Sequence, residues 1–458
     1  MPTATPHRDN CPAGPDTVHP GRAGGRRPDL SSWRSSWRSL LVSSLRSPHG
    51  WPRLGAGLAF SAALTACGGS GAPGSEATSA TTTATTQSAA PASPVAATPT
   101  FADKVAVGDK LFDEVLLSAG SNLACASCHV KENGHADAAG VVLPRGGARL
   151  DQQGLRNSPT VRYLNDNRAF RFDALGLPEG GFTWDGRASS RSAQALGPLL
   201  AANEMANSSE AEVARRARAL PYFNELVSAY ALPATATDAQ VLQALQQALA
   251  DYQQGDPGYA PFSSKFDAVL EGRATLTAAE DRGRNLFASP QQGNCASCHN
   301  IAPPPGQTKP LFTNFGYFAL GLPRNGSSAT ADPAFFDMGL CGPVRTDLSH
   351  RTDLCGLFKV PTLRNVALTA PYFHNGVVAT LEDAVSFYAT RDIDPARWYP
   401  TVGNTVVKFN DLPAAYRGNV TQQAPFGQRP GDAPRLSARD VQDIAAFLRT
   451  LTDGYVVP

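Results

Sequence analysis

Two short stretches of this chain have residues spaced for redox chemistry. Cys125-Ala-Ser-Cys128-His129 recurs as Cys295-Ala-Ser-Cys298-His299. In a C-x-x-C-H signature two thiols can form thioethers to a haem, and the next residue can ligate its iron. C-x-x-C also serves redox dithiols and zinc sites. Both copies here carry the trailing His, and no spare Cys pair stands at zinc spacing. The pattern predicts two covalently bound c-type haems, with His129 and His299 as proximal ligands.

The opposite face of each iron decides function. Electron-transfer haems fill it with Met or His, whereas an enzyme leaves one iron accessible. The only methionines are Met1, Met205 and Met338, and outside the motifs and the N-terminal stretch the histidines are His135, His350 and His374. Two ordinary His/Met sites would need both Met205 and Met338. His135 follows His129 by six residues, too few to reach the far face, and is expected on the surface.

The elements that position these motifs form two similar halves. Gly108-Asp-Lys-Leu-Phe112 precedes the first motif and Gly283-Arg-Asn-Leu-Phe287 the second, each a short amphipathic helix. Thr277-Ala-Ala-Glu280 is a capping box. Ser437 caps a closing helix with helical apolar spacing through Val441, Ile444, Ala445 and Leu448. Strand alternation is scarce, so the fold class is mainly α: two cytochrome c-like domains with long loops. The expected boundaries are 101–272 and 273–458, with turn signals at Gln253–Gly258 between them.

A leader precedes both halves. Residues 1–66 hold 8 of the 40 basic residues, all Arg, and 3 of the 39 acidic ones, so the remainder has 32 against 36, a balance of −4. Nucleic-acid binding, which calls for a clustered basic patch, is excluded. The apolar run Leu54–Leu64 after an Arg-rich flank reads as a signal peptide. Leu64-Thr65-Ala66-Cys67 resembles a lipobox, implying a lipoprotein anchored through Cys67 and a periplasmic location. No other segment is apolar enough to span a bilayer. Residues 67–100, rich in Ser, Thr, Ala and Pro, read as a flexible tether. Of the eight cysteines, Cys11 lies in the leader, and Cys341 and Cys355 remain as a disulfide pinning a loop.

Several further motifs occur in order: Arg156-Asn-Ser-Pro-Thr160, Phe182-Thr-Trp-Asp-Gly-Arg187, Gln194-Ala-Leu-Gly-Pro198, Glu204-Met205, and Pro361-Thr-Leu-Arg-Asn365 running into Ala370-Pro-Tyr-Phe-His-Asn-Gly376. With both CASCH copies, they make the sequence resemble the bacterial di-haem cytochrome c peroxidases and their MauG-like relatives over roughly residues 101–455. The resemblance implies an enzyme that uses hydrogen peroxide to oxidise a donor, either a small redox protein or an aromatic side chain of a partner protein. It places Gln194 and Glu204 over the N-terminal haem. There a carboxylate can move a proton between the peroxide oxygens and an amide can orient them. Gly197-Pro198 is expected to break the helix and let both side chains turn inward.

Two departures from the peroxidase branch bear on mechanism. The segment Arg145–Arg149, where that branch carries a loop His blocking the first haem, has none, which implies a permanently open site. Fourteen residues beyond His374, where the branch has Met, stands Tyr388. Leu381, Ala384, Val385 and Tyr388 share one helical face, so Tyr388 is buried by spacing alone. MauG-like proteins use Tyr as an axial ligand there, with Met338 as the rival. The resemblance also gives Trp184 as a relay between haems, Asn157, Thr369 and Pro371 as oxygen donors to a calcium ion, and His374 as a hydrogen-bonding neighbour rather than a ligand. The competing reading is a non-catalytic di-haem electron-transfer cytochrome.

Overall fold

The computed structural model describes residues 98–458 except 139 and 327–331, so the leader, Cys67 and nearly all of the tether lie outside the described residues. Among the described residues, ten α-helices carry the fold. Six belong to the first half: α1 (Phe101–Phe112), α2 (Cys125–Cys128), α3 (Arg191–Leu200), α4 (Glu210–Arg218), α5 (Phe223–Ala229) and α6 (Asp238–Gly255). The other four are α7 (Lys265–Leu270), α8 (Ala278–Ala288), α9 (Leu381–Thr390) and α10 (Ala438–Arg449). The remaining regular structure among the described residues is short 3-10 helices and four two-residue antiparallel pairs, so the protein is mainly α with long loops.

Each half closes by crossing the helix of its G-x-x-L-F motif over its last helix. α1 packs on α6 and α8 on α10. The glycine of each G-x-x-L-F motif sits at the crossing. A Cβ on Gly108 would run into the Ala248 carbonyl oxygen, and one on Gly283 into that of Asp443. The Leu and Phe of each motif point into separate cores. Leu111 and Phe112 join Val107, Leu245, Leu249 and Tyr252. Leu286 and Phe287 join Phe312, Ile444, Phe447 and Leu448. Phe266 of α7 belongs to this second core, so the cores part between Tyr259 and Phe266.

A side chain at the crossing must push two helices apart. Gly283→Ala is therefore expected to cost about 1–3 kcal/mol by overpacking, where helix propensity alone would give a gain of about 1 kcal/mol. The sign of the change in thermal unfolding midpoint decides between them.

Local capping follows the sequence. Thr277 with Glu280 and Ser437 with Asp440 form capping boxes, and Thr380 accepts from the Asp383 amide. The Cys341–Cys355 disulfide forms and closes a loop in the second half.

The Gly197-Pro198 expectation fails: α3 runs through Pro198 to Leu200. Pro198 is its eighth residue, so only the bond to the Gln194 carbonyl is lost. Ala201 N–H still donates to Gly197 O at 2.9 Å. The chain turns just beyond, where Glu204 N–H reaches Ala201 O at 2.9 Å and Met205 N–H reaches Pro198 O at 3.0 Å.

Candidate active site

Both proximal histidines are set up in the same way. His129 Nδ1 lies 3.2 Å from the carbonyl of His135, and His299 Nδ1 lies 3.0 Å from that of Phe312. The Pro159 and Pro361 carbonyls also interact with the respective rings. An Nδ1–H held by a carbonyl fixes the tautomer and leaves Nε2 as the ligating atom. Burial pushes the His299 imidazole down to about 4 and lowers that of His129, so both are neutral and competent to bind metal.

These carbonyls are held by a repeat that sequence reading passed over. Pro159-Thr160-Val161-Arg162 and Pro361-Thr362-Leu363-Arg364 are the same turn. Thr160 Oγ1 donates to Gly134 O and Thr362 Oγ1 to Leu311 O, while each threonine accepts from the arginine amide two residues on at 3.1 Å. Arg162 then donates to His135 Nδ1 at 2.8 Å and Arg364 to Pro310 O at 2.7 Å. The recurrence of P-T-x-R after each CASCH was the available signal.

His135 is not on the surface. It is 2% exposed, and its ring stacks on Tyr259 at 4.3 Å. Burial and the neighbouring Arg162 guanidinium push its imidazole down to about 3. Its carbonyl has to reach His129, which brings the ring into the core behind.

A second repeat positions the far faces. Phe182–Ala188 and Tyr372–Val378 are loops each closed by one antiparallel bridge. Thr183 and Phe373 have φ of 77° and 70°, Gly186 and Gly376 of 64° and 62°. Gly186 also has no room for a side chain, since the Tyr317 hydroxyl fills the space. Ser190 and Thr380 then cap α3 and α9. Position for position, 182 matches 372, 190 matches 380, and 198 matches 388. Pro198 thus stands in the first half where Tyr388 stands in the second.

Tyr388 lines a cavity that encloses about 1810 Å³ of empty space, part of it continuous with solvent. Cys295, Cys298 and His299 line the same cavity, as do Asn157, Trp184, Thr369, Pro371 and His374. The phenol stacks on Phe426 at 5.3 Å and makes no hydrogen bond among the described residues. Burial and the neighbouring Cys298 and Cys295 hold it protonated, above its ordinary range. Met338 does not line this cavity; it sits beside the disulfide loop, its carbonyl accepting from Gly356 N–H.

In the first half Glu204 is half-buried, and its charge is felt at both Cys125 and Cys128. Burial raises its carboxyl above the usual range, partly offset by Arg187. Gly147 N–H donates to the Glu204 carbonyl at 2.7 Å, so the Arg145–Arg149 segment is seated against it. Gln194 is half-buried on α3; the buried Met205 joins the first core.

Trp184 Nε1–H donates to the Asn157 carbonyl at 2.8 Å, and its indole meets the His374 ring edge-on at 6.5 Å. His374 stacks on Phe358 at 3.4 Å, and the Asn157 amide donates to its carbonyl at 2.8 Å. Arg156 ties this region across the halves: it pairs bidentately with Asp337 at 2.6 and 2.8 Å and reaches Asp185 at 2.7 Å. Asp337 and the buried Lys359, whose ammonium donates to Gly181 O, escaped sequence reading because no local motif marks them.

The residues fit two c-type haems: paired free thiols, a neutral histidine with Nε2 available, and, at the second motif, a large cavity with a phenol on its wall. Residues 102–275 match the family model described as di-haem cytochrome c peroxidase. The chain is 32% identical over 378 residues to the methylamine utilization protein MauG of Paracoccus denitrificans, covering 79% of this chain and 92% of the relative. The chain belongs to the di-haem cytochrome c peroxidase family. It is 32% identical over 294 residues to the cytochrome c551 peroxidase of Nitrosomonas europaea, covering 63% of this chain and 74% of that one. Among solved structures, the diheme peroxidase BthA of Burkholderia thailandensis superposes with TM-score 0.70 at 38% identity, covering 76% of this chain and 86% of that one. A MauG-like protein associated with microbial copper homeostasis gives 0.55 at 26%, covering 78% and 91%. As a di-haem peroxidase of the MauG-like type, the chain is an enzyme with two c-type haems in two cytochrome c-like halves.

Proposed function

We propose that this di-haem peroxidase consumes hydrogen peroxide at its first haem site and passes the oxidising equivalents through its second to a donor. The observation that carries the reading is the internal repeat: Pro198, with no donor atom, occupies the place taken in the second half by Tyr388. A haem held by His129 would therefore meet no protein donor at the Pro198 position, whereas one held by His299 would have the Tyr388 phenol in reach of the same cavity. When bound, the haem irons supply the electrons that cleave peroxide and the sites that hold the resulting oxidising power.

The chain supplies the rest. His129 and His299 ligate through Nε2, and Tyr388 offers its phenol oxygen to the second iron. Gln194 orients peroxide, and Glu204 takes the proton from one oxygen and returns it to the other. Trp184, held by its bond to Asn157, relays between the halves. Asn157, Thr369 and Pro371 hold a calcium ion: all three line the cavity, and backbone bonds to His374 and Trp184 leave the Asn157 amide oxygen free for a hard cation. The donor is a redox protein or an aromatic side chain of a partner protein, and the phenol cap, which favours higher oxidation states, supports the second. The enzyme works in the periplasm, tethered by a lipid on Cys67; among the described residues no helix is long and apolar enough to cross a membrane.

An EPR spectrum of the ferric holoprotein tests the reading. It is expected to show one high-spin and one low-spin haem, with peroxide altering the first. Two low-spin signals and no reaction with peroxide would return the protein to the class of electron-transfer cytochromes.

A further inference from the structure

The two P-T-x-R turns serve their proximal histidines in matching ways, but their arginines find different carboxylates. In the second half Arg364 pairs bidentately with Asp267 at 2.9 and 3.0 Å, both side chains fully buried. Asp267 lies on α7, in the same half. In the first half Arg162 donates from Nε to His135 Nδ1 at 2.8 Å and from Nη2 to the Lys131 carbonyl at 2.8 Å. Its remaining nitrogen, Nη1, lies 3.7 Å from Oδ2 of Asp453, the one ion pair of Arg162 among the described residues. Asp453 stands just beyond α10, in the other half.

Asp453 is fixed from its own half before it meets Arg162. Asn365, next to Arg364, donates from Nδ2 to the carboxylate at 2.7 Å and accepts the Asp453 backbone N–H at 2.9 Å. From the first half the Tyr163 hydroxyl donates to the same carboxylate at 2.7 Å. The Arg162 and Asp453 side chains are 11% and 8% exposed, so neither charge has water enough to replace the other. Because Arg162 donates to His135 Nδ1, that nitrogen carries no proton and the imidazole is held in one place. The His135 carbonyl in turn faces His129 Nδ1 at 3.2 Å. A continuous row of polar contacts thus runs from Asp453 through Arg162 and His135 to the first proximal histidine, and it begins in the other half.

We propose that Asp453 is a positioning residue for the proximal histidine of the first haem, supplied across the molecule by the second half. With its charge in place, Arg162 stays on His135 and the His135 carbonyl holds the His129 Nδ1–H. A histidine held in this way is a more basic ligand through Nε2. Without that charge Arg162 is a buried cation with no counter-charge, and it moves toward water. The His135 ring is then released, its carbonyl loosens, and His129 becomes a weaker donor. Arg364 keeps its own carboxylate, Asp267, so the effect falls on the first site alone. The clamp requires only ligation by His129; its consequence for peroxide rests on the peroxidase reading.

The test uses the holoprotein. Resonance Raman of the reduced form reads the iron–histidine stretch of the open haem, and a redox titration reads both potentials. Asp453→Asn is expected to lower the stretching frequency, raise the first potential and slow the reaction with peroxide several-fold, with the second potential unchanged. Arg162→Gln should lower the frequency in the same way, and the double variant no further than either alone. Tyr163→Phe removes a hydroxyl bonded to Asp453 but leaves its charge, so it should lower the thermal midpoint without moving the stretch. Equal shifts in both potentials with the stretch in place would mark a mere loss of charge and overturn the clamp. A stretch that moves as far in Tyr163→Phe would mark general loosening and overturn it too. A shifted stretch in a protein that ignores peroxide would keep the clamp and overturn the peroxidase reading. Absence of the stretch from the unaltered protein would overturn the open first site, and the clamp would then be decided by whether the first potential moves alone.

Discussion

Glu204→Gln is expected to slow peroxide turnover by about 10²–10⁴-fold, the usual worth of a positioned acid–base group, with both haems retained. Cleaving the O–O bond requires a proton to leave one oxygen and reach the other. Among the described carboxylates, Glu204 is the one placed by the turn after α3 whose charge is felt at both thiols of the first motif. Glutamine keeps the volume and the hydrogen-bonding capacity but cannot carry the proton. The loss should therefore fall on chemistry and leave the fold unchanged. The pH profile gives a second readout. Only the ionised carboxylate can accept the proton, and burial raises this carboxyl above the ordinary range. Wild-type activity should fall as the pH drops through that raised value, at a higher pH than for a solvated glutamate, and the variant should lack this limb. Unchanged turnover in Glu204→Gln would remove Glu204 from the mechanism.

Much of this site was legible because its signals are local. The CASCH motifs, the Thr277 and Ser437 capping boxes, and the helical face carrying Tyr388 each depend on residues within a turn or two of one another. What escaped was set by distant partners. The Arg156–Asp337 pair spans 181 residues, and nothing around Asp337 marks it as the anchor of an arginine in the other half. His135 read as a surface histidine because, six residues after His129, it is too close to reach the far face of the iron. Its burial follows from a backbone role, its carbonyl holding His129, which no side-chain pattern reports. Gly-Pro read as a helix breaker on propensity alone. In the last turn of α3 the proline forfeits one bond, and the packing of Ala195 and Leu199 into the first core carries the helix through. The same register sets Pro198 opposite Tyr388, a correspondence hidden in the sequence because the residues share no chemistry.

Tyr388→Met should raise the reduction potential of the second haem by tenths of a volt, within the roughly 0.8 V that axial ligands command. A phenol oxygen is a hard, anionic donor when ligating and favours the ferric state, while a thioether favours the ferrous one. The unbound phenol is held protonated by burial and by Cys298 and Cys295, so its proton must leave as the iron binds. The metal's charge is the force that can reverse that bias. Tyr388→Phe separates ligation from packing. Phenylalanine keeps the stack on Phe426 and the tilted contact with Phe373, so the α9 environment should persist while the second haem loses its sixth donor and turns high-spin. Met338→Leu, at a residue outside the cavity, should leave both potential and spectrum unchanged. The opposite pattern, a silent Tyr388 and a responsive Met338, would make the second haem a conventional electron acceptor. The oxidising power generated at the first site would then favour a soluble redox protein over an aromatic side chain as the donor, because a thioether-capped centre is easily reduced and holds less of it.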